Sequence, residues 1–153
     1  MDEQSQHLTL RPTLGPEEYP QLVEIWRSAV RATHSFLEET DFARIESNLA
    51  SAYFPAVTLV VAERQGTPAG FAGIAEGTLE MLFVSASARG SGIGSALLAD
   101  AIAHHQVTRV DVNEQNPQAH RFYSRNGFEQ IGRSELDGDG RPYPILHLEI
   151  QSL

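Results

Sequence analysis

The sequence predicts an α/β (α+β) domain around a mixed sheet, in the order β-α-α-β-β-β-α-β-α-β-β. Three observations predict it. Two early segments carry apolar residues at helical spacing, a middle stretch turns to short apolar runs between turn residues, and the remainder alternates helix-like and strand-like patterns. With 153 residues, 41% of them hydrophobic, and no dividing linker, residues 1–153 are read as one domain.

Each element follows from its residues. LTLRP (8–12) reads as an edge strand stopped by Pro12. After Pro16, EEYPQLVEIWRSAVRATHSFL places Leu22, Ile25, Trp26, Ala29, Val30 and Thr33 near helical spacing, with acids in the first turn. A second helix is expected from Asp41 to Tyr53, with Phe42, Ile45, Leu49 and Tyr53 on one face and Pro55 as its stop. AVTLVVAER (56–64) and AGFAGIAEG (69–77) read as antiparallel strands joined by the turn QGTP, and TLEMLFV (78–84) as a third strand. SGIGSALLADAIAHH is a glycine-led helix and VTRVDVNE (107–114) a strand. PQAHRFYSRN is a short helix with proline at its first position and Gly127 past its end, and FEQIGRSEL and YPILHLEI close the chain as strands joined by DGDGRP.

Composition removes several chemistries. There is no cysteine, hence no disulfide, no thiolate metal site and no acyl group parked on an enzyme thiol. All 11 basic residues are arginine, which excludes a P-loop lysine, Schiff-base chemistry and pyridoxal phosphate. No metal is expected. A net charge of -9 argues against nucleic acid, so any anionic ligand must be held by a local site. The N-terminal MDEQSQHLTLRP lacks a signal-like apolar region, and nowhere do about eighteen apolar residues run together, so a cytoplasmic protein without a membrane span is expected.

The densest signal is RGSGIG, Arg89 to Gly94, between a predicted strand and a predicted helix. Glycines let backbone N–H groups converge, and the following helix N-terminus adds roughly half a positive charge, so the turn suits a phosphate. The dinucleotide fingerprint needs its third glycine one place later, and the alternative of a bare strand-to-helix connection needs only one glycine. The second cluster is NPQAHRFYSRNGF, Asn116 to Phe128, whose Asn116, Pro117 and Gly127 also suit plain helix capping.

Together these blocks resemble the GNAT family of N-acetyltransferases. RGSGIG after LFV is similar to that family's motif of Gln or Arg, two residues, Gly, one residue, Gly or Ala; N-x-x-A-x-x-FY-x-x-x-GF from Asn116 is similar to its second block. The strong part spans about Thr78 to Phe128. IWRSAVRATHSFL, VNEQNPQA and GRSELDGDGRPYPIL extend the resemblance to a bacterial branch of the family.

The resemblance implies a mostly antiparallel central sheet flanked by helices, with acetyl-coenzyme A as donor and a primary amine as acceptor. Backbone atoms of Leu82, Phe83 and Val84 would pair with the pantetheine arm, and Arg89, Gly90, Ser91, Gly92, Ile93, Gly94 and Ser95 would hold the pyrophosphate. Asn116 corresponds to an asparagine that contacts coenzyme A, and Tyr123 to a tyrosine near the thioester sulfur. Glu80, expected on the same face as Leu82 and Val84, and Asp111 are the candidate bases, with a water chain as the alternative. Trp26, His34 and Phe36 are candidates for an aromatic acceptor pocket. Homodimers are common among similar proteins. The rival functions are a non-catalytic acyl-coenzyme A binding module with a closed acceptor site and a dinucleotide-dependent oxidoreductase, which the glycine spacing disfavours.

Overall fold

A computed structural model describes residues 7–151. The N-terminal residues 1–6, included above in the reading of a chain without a secretory signal, lie outside the described residues. The elements are β1 (Leu8–Pro12), α1 (Tyr19–Thr33), α2 (Glu39–Asn48), β2 (Thr58–Arg64), β3 (Thr67–Ala75), β4 (Thr78–Val84), α3 (Ile93–His105), β5 (Arg109–Asn113), α4 (Pro117–Arg125), β6 (Phe128–Ser134) and β7 (Ile145–Ile150). They form a seven-stranded sheet in the order β1-β2-β3-β4-β5-β7-β6. Every neighbouring pair is antiparallel except β4 and β5.

The sheet is buried on both faces where β2 and β3 run, which is why these strands read as continuous apolar runs. Val60, Ala62, Ala72 and Ile74 join Ile93, Leu97, Leu98 and Ala101 of α3 in one core. Leu59, Val61 and Phe71 join Leu22, Ile25, Trp26 and Val30 of α1 and Phe42 of α2 in the other. The close seating of α3 depends on Gly70, where an added Cβ would stand 3.0 Å from Ile93 Cγ2 and 3.1 Å from the Phe83 carbonyl oxygen.

Several boundaries differ from expectation, among them the starts of β2, β5 and β7, which lie two residues later than expected. The first helix stops at Thr33, and His34 caps it with non-helical angles (φ -117, ψ 55). The second helix does not run regularly to Tyr53: α2 ends at Asn48 and widens into a π-turn, Leu49–Tyr53, then a 3-10 turn, Phe54–Ala56. Pro55 has no N–H to continue the ladder, and the wider turn, closed by Phe54 N–H to Leu49 O, brings both Leu49 and Phe54 into the core. The β2–β3 and β3–β4 hairpins turn on Gln65–Gly66 and Glu76–Gly77, with positive φ at all four residues, so Thr67 and Pro68 belong to β3 and Gly77 does not.

The β4–β5 pair positions the site. It holds register only at Thr78↔Arg109 and Leu79↔Val110, after which the strands part. On its other side β4 stays paired to β3 out to Gly70↔Val84.

Phe71 is the keystone of the core beneath α1. It is fully buried, with the rings of Phe54 and Phe83 centred 5.6 and 5.7 Å from its own. Phe71→Ala is expected to cost about 3–5 kcal/mol in denaturant unfolding. A loss below ~1 kcal/mol would contradict this account of the packing.

Candidate active site

The wedge between β4 and β5 opens into a cleft of about 550 Å³. Leu82, Phe83 and Val84 form one wall, with a ladder neighbour only on the β3 side. The loop after β4 forms the floor. Gly90 and Gly92 have φ of +78 and +87, and a Cβ on either would meet nothing within 4 Å, so their backbone conformation, rather than crowding, calls for glycine. Gly92 caps α3, and its carbonyl accepts the first helical bond from Ala96 N–H at 3.0 Å. The amides of Ile93, Gly94 and Ser95 precede that bond, at the positive end of the helix, and these residues line the cleft.

Arg89 lines the cleft and donates to Gln118 Oε1 at 3.1 Å. Ser91 does not line it; its hydroxyl bonds back to the Ala88 carbonyl and ties the loop down. Arg121 and Arg125 join Arg89 there, concentrating cations in a chain of net charge -9. Sequence reasoning missed both, although their i, i+4 spacing beside the Asn116 block puts them on one helix face.

Asn116 caps α4, its Oδ1 accepting from Ala119 N–H at 3.2 Å, and also lines the cleft. Tyr123 borders the cleft from α4, buried between the edges of Phe122 and Phe128 at 5.1 and 5.8 Å. Among the described residues its hydroxyl has no hydrogen-bond partner, and burial pushes its pKa well above the ordinary phenol value.

A second cavity of about 490 Å³ lies on the α1–α2 side, with walls that include Trp26, Phe36, Tyr53, Met81 and Tyr143. His34 and Phe83 line both cavities. Trp26 is largely core, 3% exposed with its ring 4.8 Å from Phe42, while the Phe36 ring bridges His34 and Tyr143 at 5.2 and 6.1 Å. Burial lowers the His34 pKa to about 4, so the ring is neutral at physiological pH.

The expected face of Glu80 is corrected. Gly73 pairs with Met81 but Ile74 with Leu79, so Glu80 is the extra residue of a β-bulge. The bulge resets the alternation: Leu82 and Val84 pack toward α3, whereas Glu80 lines the second cavity with Met81 and Phe83. Burial, then the charges of Asp111 and Glu76, raise its pKa. Asp111 lines neither cavity. It lies on the exposed sheet face, where its Oδ1 is 2.7 Å from His147 Nδ1, and His147 Nε2 is 2.7 Å from Ser134 Oγ.

The β6–β7 loop supplies Asp137 and Tyr143 to the second cavity and is latched to α2. Asp41 is 4% exposed; its carboxylate accepts from Tyr143 Oη at 2.6 Å, from Arg141 Nε at 3.1 Å and from Arg44 at 3.3 Å. The Tyr143 hydroxyl in turn accepts from Glu38 N–H at 3.1 Å. Those donors hold the Asp41 carboxyl below its usual range. Neither Asp41 nor Tyr143 was identifiable from local pattern, since the partners are about a hundred residues apart.

Among the described residues no group of three or more His, Cys, Asp or Glu side chains is placed to hold a metal, and no helix is long and apolar enough to cross a membrane.

Comparison with known proteins gives this geometry its family. Residues 21–143 match the acetyltransferase (GNAT) domain family. The chain is 41% identical over 133 residues to the peptidyl-lysine N-acetyltransferase YjaB of Salmonella typhimurium, covering 86% of this chain and 91% of that one. It is 29% identical over 133 residues to a 5-NmdU N-acetyltransferase of Pseudomonas phage PaMx11, covering 82% and 89%. The solution structure of apo YjaB from Escherichia coli superposes with a TM-score of 0.86 at 35% identity, over 96% of this chain and 99% of that one. The PaiA N-acetyltransferase of Thermoplasma acidophilum, in complex with coenzyme A, shares the fold with a TM-score of 0.73 at 19% identity, over 95% and 99%. The chain belongs to the GNAT family and is an acetyl-coenzyme A-dependent N-acetyltransferase.

Proposed function

We propose that this enzyme acetylates the ε-amine of lysine residues in proteins, by direct attack on acetyl-coenzyme A within a ternary complex, as a single cytoplasmic domain. The observation that carries this reading is a pair of unlike cavities that share His34 and Phe83 in their walls. One offers a helix N-terminus and arginines to an anionic donor. The other offers aromatic and apolar walls to an aliphatic stem, and the Glu80 carboxylate to its cationic head. The name of the YjaB relative supports lysine as the acceptor.

On the donor side, the free edge of Leu82, Phe83 and Val84 receives the pantetheine amides as an added strand, and the loop from Arg89 to Ser95 receives the pyrophosphate. Asn116, already committed as a helix cap, keeps acceptor and donor capacity for the cofactor's polar arm. On the acceptor side, a lysine ammonium of pKa about 10.4 must lose a proton at a cost of roughly 4 to 5 kcal/mol at neutral pH. Glu80 draws the ammonium in, and its raised pKa suits it to accept a proton. Asp111 acts through its charge on Glu80 rather than by contact with the amine.

Tyr123 serves the departing sulfur. A phenol of pKa about 10 protonates a thiolate of pKa about 8.5 at a cost of roughly 2 kcal/mol, and burial adds to that cost. Its main contribution is therefore a hydrogen bond to the sulfur as the C–S bond lengthens.

The direct test is coenzyme A release, with mass increase, on an N-terminally blocked lysine peptide; the enzyme has no thiol to disturb a thiol-reactive reagent. Acetylation of small amines but of no lysine peptide would overturn the assigned acceptor. Initial-rate plots should intersect, because neither cysteine nor lysine is present to hold an acetyl group; parallel lines would contradict direct attack. Gly92→Val forces a branched side chain into a left-handed backbone at the phosphate site, and calorimetry should show acetyl-coenzyme A affinity falling at least about tenfold. Tyr123→Phe keeps the ring packing and should lower kcat by about a hundredfold or more with donor affinity unchanged. Turnover near the wild-type rate, with chemistry rate-limiting, would remove Tyr123 from the reaction.

A further inference from the structure

His34 lines both cavities, and its Nδ1 is engaged by Thr33 whereas its Nε2 is not. Thr33 Oγ1 lies 2.8 Å from the Ala29 carbonyl oxygen and 2.6 Å from His34 Nδ1. A carbonyl only accepts, so with the hydroxyl proton on the bond to Ala29 the contact with the ring takes its proton from Nδ1. In that arrangement His34 is the Nδ1–H tautomer, with the lone pair on Nε2. Among the described residues nothing donates to that lone pair.

We propose that His34 Nε2 is the proton acceptor that completes acetyl transfer, and that Thr33 is the positioning residue that keeps this nitrogen unprotonated. The inference rests on the acetyl-transfer reading above and adds the step that reading leaves open. An ammonium becoming an amide loses two protons. The first leaves before attack, on the Glu80 side. Attack then forms the C–N bond, placing positive charge on nitrogen and negative charge on the former carbonyl oxygen.

Nε2 takes the N–H proton, the carbonyl re-forms, and the C–S bond breaks with its electron pair on sulfur. The thiolate, hydrogen-bonded by the Tyr123 hydroxyl, takes one proton from solvent, and the imidazolium returns its proton to solvent through the acceptor cavity, so that one proton is released overall. The products are the amide and coenzyme A thiol, with all atoms and charges balanced. A weak base suffices, because the nitrogen of the tetrahedral intermediate is far more acidic than a free ammonium. The nearby oxyanion also raises the proton affinity of the imidazole at that moment. A pKa of about 4 in the resting enzyme keeps the lone pair available throughout the neutral range and makes proton release to solvent easy.

Two measurements on the intact chain test this. In ¹⁵N NMR of the imidazole at pH 7, wild-type His34 should be neutral with its proton on Nδ1, and Thr33→Val should move the population toward the Nε2–H form. Kinetics with acetyl-coenzyme A and the blocked lysine peptide should show His34→Asn, which keeps an amide near Thr33 but has no atom at Nε2, losing kcat about a hundredfold. Acetyl-coenzyme A Kd and the melting temperature should hardly move. Thr33→Val should lose about tenfold in kcat, and Thr33→Ser should restore it. An Nε2–H signal in the wild type, or a His34→Asn variant at the wild-type rate with chemistry limiting, overturns the proposal. So does a loss of activity matched by lost donor binding or stability, which marks a structural histidine. A wild-type enzyme that binds acetyl-coenzyme A yet acetylates no amine overturns the acetyl-transfer reading itself, a separate failure.

Discussion

The parting of β4 from β5 is the constraint on which the rest of the structure depends. Two strands that pair at only two positions leave one edge of β4 without a ladder, and backbone amides left without partners in a cleft call for a ligand. The bulge at Glu80 lies just where the strands separate, and bulges add local twist that carries a strand away from its neighbour. The same irregularity turns Glu80 toward the acceptor cavity while Leu82 and Val84 keep the opposite face. One extra residue thus opens the donor cleft and places the carboxylate on the other side of it.

Charge follows the same division. Arginine supplies the donor cleft, through Arg89, Arg121 and Arg125, while carboxylates supply the acceptor cavity, through Glu80 and Asp137. An acidic molecule can bind a polyanionic cofactor because the cations and a helix terminus are gathered at one place. His34, which lines both regions, is kept neutral by burial and adds no fixed charge of either sign. The β6–β7 loop forms part of the second cavity's wall and is tied to α2 by its bonds to the buried Asp41 carboxylate and by the Arg44–Asp139 pair at 2.8 Å.

The order of elements was legible because it is local. Apolar spacing, Pro16, Pro117 and the glycine turns mark β1, β4 and the loop of Arg89 to Gly94 closely, and the helical repeat of Leu22, Ile25, Trp26 and Ala29 marks α1. What was not legible depends on partners distant in sequence. The face of Glu80 is set by the register of β4 on β3, which no pattern within TLEMLFV reveals. Asp41 reads as an ordinary acid in the first turn of a helix until Tyr143 and Arg141 arrive from the far end of the chain. His147 joins Asp111 and Ser134 only because β7 inserts between β5 and β6. The π-turn at Leu49–Tyr53 reflects competition between helix continuation and burial of Phe54, which a helical repeat does not register.

We propose that the open edge of β4 and the start of α3 together hold acetyl-coenzyme A. Amide hydrogen exchange, with and without the cofactor, reads this at the backbone itself. The account predicts that protection on binding concentrates at Leu82, Phe83 and Val84 and at the amides from Arg89 to Ser95, with little change on the exposed strand β6. Protection elsewhere, with these amides exchanging as fast as in the free protein, would contradict it.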